Sequence, residues 1–110
     1  MVRAMPDQVQ ASHILLMYAG SERSSATRSK EEAQTQIQQI HGQVQSGSDF
    51  AELARQHSDC PSSRRGGDLG SFGRGQMVGA FEDAAFGLEV GQTSGVIETP
   101  FGYHVIKRTG

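Results

Sequence analysis

One stretch restricts this chain more than any other: SDCPSSRRGGDLGSFGRGQM, residues 58–77. It holds the only cysteine, then Arg64 and Arg65, and then, in 66–75, five glycines in ten residues with Arg74 among them. Glycine loses more conformational freedom on folding than any other residue, so such a run belongs where backbone must turn tightly or approach something closely. Three readings are open: an exposed loop, a phosphate cradle, or part of a site built around Cys60.

The phosphate cradle falls first. The spacing of Gly70, Gly73 and Gly75 matches neither the dinucleotide fingerprint nor the Walker pattern, and no Lys-Ser/Thr pair follows. A metal is no better supported. His13, His57, Cys60 and His104 are chemically able to surround zinc, but their spacing fits no short ligand motif. No metal and no other cofactor is expected. A thiolate–imidazole pair between Cys60 and His13 or His104 is conceivable. The residues around Cys60 carry no cysteine-protease signature, and a small buried hydrophobe is the alternative.

The rest of the chain reads as an α+β pattern. Residues 10–18, QASHILLMY, form a strand with Ala11, His13, Leu15 and Met17 on one face and Ser12, Ile14 and Leu16 on the other. Both faces are largely apolar, which places the strand centrally. A polar loop, 19–28, precedes a helix opened by Ser29 with Glu32, a capping box. Ala33, Ile37, Ile40 and Val44 form its apolar stripe, and Gly47 suits a left-handed C-terminal cap. Asp49 with Glu52 repeats the capping pattern ahead of a shorter helix whose inner face is Phe50, Leu53, Ala54 and His57. Residues 79–87 form a third helix with Phe81 and Phe86 inward. Residues 96–99 and 103–109 form two strands joined by a hairpin-like turn at 99–102. His13 and His104 therefore sit at strand centres, and on neighbouring strands their imidazoles can meet. Two buried histidines that merely satisfy each other remain the alternative.

A chain of 110 residues suits one domain. Its net charge of −2 gives no reason to expect nucleic acid. No apolar run reaches the ~18 residues of a membrane span. Residues 1–8 read as a flexible polar segment without the apolar core of a signal peptide. One cysteine excludes an internal disulfide and suits the reducing cytoplasm, the expected location, with a domain cut from a longer exported protein as the alternative.

Three separated motifs resemble one family. ASHILL (11–16), the 58–77 stretch with FEDAAF (81–86), and TPFGYHVIK (99–107) are similar, in order and spacing, to the parvulin-type peptidyl-prolyl cis-trans isomerases. The resemblance implies an isomerase domain over 9–110 after the flexible segment 1–8. Its fold is a four-stranded antiparallel sheet surrounded by four helices, in the order β-α-α-α-β-α-β-β, the extra helix being a short turn near 61–64. It implies that the glycines turn the chain back into the sheet beside the active site. By correspondence, Leu69, Met77 and Phe81 take the substrate proline ring. Cys60 lies at the cleft floor with His13 and His104 paired behind it, orienting the floor and tuning the thiol. Leu15, Thr99 and Phe101 line the same region.

The expected partners are proline-containing peptides and unfolded or partly folded proteins, met by a monomer. One branch of the family is directed to phospho-Ser/Thr-Pro through a lysine at the end of the first strand and an arginine pair in the next loop. Here the lysine position is Met17, and the loop reads GSERSSATR, with Glu22 beside Arg23. Arg23 and Arg28 are the cations on offer, and Glu22 opposes them. The expected preference is an uncharged residue before proline. Arg64, Arg65 and Arg74 read as solvated surface charge. The rival functions are a non-catalytic peptide-binding or chaperone module and a cysteine hydrolase.

Overall fold

The apolar strand expected at 10–18 begins two residues earlier, as β1, Gln8–Leu16. The computed structural model describes residues 8–21, 24, 26–77 and 79–110. Of the segment 1–8, only Gln8 is among them, already in the strand. β1 is central: the sheet order is β2-β1-β4-β3, all antiparallel, with β2 at Asp68–Gly73, β3 at Ile97–Thr99 and β4 at Gly102–Arg108.

The helices arise from local signals. α1, Lys30–Gln45, is capped by Ser29 and Glu32 in a reciprocal box, as its sequence predicts. It ends in a Schellman arrangement, with Gly47 N–H donating to Val44 O and Ser48 N–H to Gln43 O while Gly47 takes a φ of 98°. α2, Phe50–His57, is capped by Asp49 through Ala51 N–H. The second expected capping box is only half made. Glu52 instead accepts from Arg55 and Gln56, three and four residues on. A 3-10 turn, Pro61–Arg65, stands where the fourth helix was expected, and α3 spans Gly79–Gly87.

Alternation along β1 splits the interior in two. Ile14 and Leu16 face α1 and α2, packing with Ile37, Ile40, Phe50, Leu53, Tyr103 and Val105. Val9 and Ala11 face the other way, packing with Phe72, Phe81, Ala85 and Ile106 beneath α3. His13 and Leu15 share this second face, where the α3 layer leaves the sheet partly uncovered.

Candidate active site

The 58–77 stretch is stitched to one edge of β1. β2 pairs with β1 only as far as Ser12, and the register slips between Gln10 and Ser12. Beyond that point the donors of β1 would be bare, and residues 58–67 supply their partners. His13 N–H donates to Gly67 O at 3.0 Å, and Leu15 N–H to Ser58 Oγ at 3.0 Å. Asp59 N–H donates to Leu15 O at 2.7 Å, and Met17 N–H to Asp59 Oδ2 at 2.9 Å. Ser58 and Asp59 thus act as a surrogate strand, and Cys60 is the residue they deliver to the cleft. Gly67 has a φ of 84°, and a Cβ there would collide with the His13 carbonyl oxygen. Close approach of backbone to β1 is therefore one physical reason for glycine in this stretch.

β1 and β4 pair with Leu15 opposite His104 and His13 opposite Ile106, so the two histidines are diagonal neighbours. Their rings lie 5.3 Å apart, nearly parallel, with Nδ1 to Nδ1 at 3.1 Å. Phe81 stands edge-on to both, its centroid 5.4 Å from His13 and 5.3 Å from His104. Two facing Nδ1 atoms at that distance need one proton between them. His104 Nε2 lies 2.7 Å from Thr99 Oγ1, which also accepts from Phe101 N–H at 3.2 Å. His13 Nε2 is buried without a partner. A bare buried acceptor is tolerated better than a bare buried N–H. The favoured arrangement has His13 Nδ1–H donating to His104 Nδ1 and His104 Nε2–H donating to Thr99.

Burial makes both imidazoles resist protonation. Desolvation lowers the pKa of His13 to about 4. His104 falls to about 3, through desolvation first and the neighbouring His13 second. Both rings are neutral at pH 7, so the floor is polar but uncharged.

Beside them lies a cavity of about 480 Å³ lined by Leu15, Met17, Leu69, Met77, Phe81 and Phe101, together with Cys60, Pro61, Gln76 and both histidines. Eight of the nine expected site residues converge here. Thr99 does not line the cavity: it is buried behind His104 and acts on the floor only through that ring. Pro61 and Gln76 went unnoticed in the sequence, as did the roles of Ser58 and Asp59. For Pro61 and the Ser58–Asp59 pair, adjacency to Cys60 was the available signal. Among the described residues no group of three His, Cys, Asp or Glu side chains could hold a metal ion.

Arg28 differs from expectation. Its guanidinium pairs with Asp59 and donates to Met17 O, so its charge is already countered. Glu22 and Arg23 lie outside the described residues.

Known proteins share this architecture. The PPIC-type PPIASE domain family matches residues 1–110. The chain is 50% identical over 110 residues to the Drosophila melanogaster protein dodo, covering 94% of this chain and 66% of that one. It is 45% identical over 117 residues to the Arabidopsis thaliana peptidyl-prolyl cis-trans isomerase Pin1, covering 96% and 98%. The structure of peptidyl-prolyl isomerase ESS1 from Candida albicans superposes with a TM-score of 0.91 at 39% identity, over 94% of this chain and 63% of that one. The chain thus spans about two thirds of the Drosophila and Candida proteins and nearly all of the Arabidopsis relative. With fold, motifs and sequence in agreement, the chain belongs to the parvulin, or PPIC-type, family of peptidyl-prolyl cis-trans isomerases and carries that family's enzyme domain.

Proposed function

We propose that the chain rotates Xaa-Pro peptide bonds in the cleft between β1, the Cys60 turn and α3, and needs no phosphate before the proline. The observation that carries this reading is an apolar cavity floored by two neutral histidines. The barrier to rotation, ~20 kcal/mol, comes from amide resonance. The planar amide owes much of its dipole to that resonance, and the twisted state has lost it. An apolar, water-poor cleft therefore favours the twisted state over the planar one, and each ~1.4 kcal/mol of that difference gives a factor of ten in rate. Leu69, Met77 and Phe81 grip the proline ring. Cys60 borders the rotating carbonyl, and the histidine pair, braced by Thr99, holds the floor beside it. Rotation makes and breaks no covalent bond, so no nucleophile is required of Cys60.

Met17 and Arg28 support the reading that no phosphate is needed. A dianion wants several cationic donors. Met17 contributes a thioether to the cavity wall, and Arg28 is already occupied by Asp59. The substrates are proline-containing peptides and incompletely folded proteins, and the chain acts as a monomer. No described helix is long and apolar enough to cross a membrane. Cys60 is a free, partly exposed thiol, which suits the reducing cytoplasm, where we place the activity. Exchange NMR on paired Leu-Pro, Glu-Pro and phospho-Ser-Pro peptides tests the specificity. Leu-Pro is expected to be turned over best, and a preference for phospho-Ser-Pro would overturn this reading.

A further inference from the structure

Two facing walls of the cleft come from different segments. Phe81 is carried by α3, while Met77 is carried by the loop between β2 and α3. Phe81 is fixed by burial against Phe72 and both histidines. Met77 is only partly buried, so something else must hold its loop.

Glu82, next to Phe81 in the first turn of α3, reaches back to that loop. Its Oε1 accepts from Gly75 N–H and its Oε2 accepts from Arg74 Nη1 at 3.4 Å. The carboxylate is well covered, its side chain 16% exposed. The Arg74 guanidinium also lies 4.3 Å from the centroid of Phe86 on the same helix, and Phe86 meets Phe72 of β2 edge-on. On the loop's other side Gly73 N–H donates to Gln76 Oε1 at 2.8 Å. Arg74, expected as solvated surface charge, is thus engaged by both Glu82 and Phe86.

We infer that Glu82 is a positioning residue for the isomerase site: its carboxylate ties the 74–77 loop to α3 and so sets the gap between Met77 and Phe81 that receives the proline ring. Glu82 touches neither substrate nor reacting atoms. It acts on how tightly the ring is held, because an ordered loop spares the peptide the entropic cost of ordering it. A charge-assisted hydrogen bond to backbone is among the stronger ties available for this.

The inference rests on the proposed cleft, so its test separates the two. Exchange NMR with a Leu-Pro tetrapeptide gives KM and kcat for wild type, Glu82→Ala, Glu82→Gln and Arg74→Met. Peptide Kd and the Gly75 amide hydrogen-exchange rate are measured on the same samples. Glu82→Ala is expected to raise KM and Kd about tenfold, or ~1.4 kcal/mol, to leave kcat within about twofold, and to speed Gly75 exchange. Glu82→Gln keeps an acceptor for Gly75 and should recover most of the affinity. Arg74→Met should fall between wild type and Glu82→Ala. Unchanged Kd and Gly75 exchange in Glu82→Ala would overturn the inference, as would a fall in kcat with KM unmoved or a failure of glutamine to rescue. If Glu82→Ala does not fold, Glu82→Gln and Arg74→Met still decide through their graded Kd values. Lack of catalysis by wild type would instead sink the isomerase reading, while Kd and Gly75 exchange would still report on the tie.

Discussion

Mild acid should loosen this protein through the two buried histidines, His13 and His104. In the unfolded chain each imidazole takes a proton as pH falls through 6.5, its ordinary value. In the folded protein burial holds His13 back to about 4 and His104 to about 3. Between those values the unfolded state binds more protons than the folded one. Stability is therefore fully present above about pH 6.5 and declines as pH falls toward 4 and then 3. With these values each histidine costs about 2 kcal/mol between pH 7 and pH 5, and the pair about 4. That is a large share of the 5–15 kcal/mol typical of a domain, roughly speaking. Glu32 acts in a different window: its hydrogen bonds with Ser29 hold its carboxyl below the usual 4.5, so its contribution is lost mainly below that pH. Urea unfolding at pH 7 and pH 5 reads the effect, and NMR titration of the imidazole Cε1–H signals assigns it. His13→Phe should remove about half of the pH dependence. A urea midpoint unchanged between the two pH values, or either histidine titrating near 6.5, would show that burial does not hold the imidazoles neutral.

Further outcomes follow from the same geometry. Because both rings are neutral, turnover should be flat from about pH 6 to 7.5; a rise or fall tracking an imidazole would mean that a charged histidine takes part. Gly67→Ala forces a side chain into a left-handed backbone position against the His13 carbonyl, and should cost about 3 kcal/mol in urea unfolding; a neutral effect would show that the β2–β1 approach is slack. Cys60→Ser and Cys60→Asp should both keep measurable activity if the thiol only shapes local polarity. Loss of all activity in both would return a covalent role to the thiol.

Much of this was legible in the residues themselves. Ser29 with Glu32, the stripe from Ala33 to Val44, and Gly47 fixed α1 from end to end, because caps and periodicity are local signals. α3 was readable between its glycines for the same reason. The doubly apolar strand around His13 was correctly central, although its start was placed two residues late, since Gln8 pairs through backbone that no side chain announces. Other features depend on contacts made across the fold. Asp59 could not be recognised as the partner of Met17 and Arg28, nor Glu82 as that of Gly75, until strands and turns were placed. Thr99 was expected along the cleft by resemblance, and no local signal in the sequence announced that its hydroxyl turns inward to His104. The 3-10 turn at Pro61–Arg65 came from family resemblance alone, being too short for a periodic signal.

The property to measure first is the cleft's effect on the barrier to Xaa-Pro rotation. The direct measurement is exchange NMR on a Leu-Pro peptide with a small fraction of a molar equivalent of protein, beside a folded Phe81→Ala variant. Unaided, the isomers interconvert over roughly tens of seconds. Wild type is expected to bring exchange into the range of seconds or faster, and Phe81→Ala to lose most of that acceleration. No acceleration by wild type, with the peptide still bound in the cleft, would contradict the isomerase reading and leave a proline-binding module in its place.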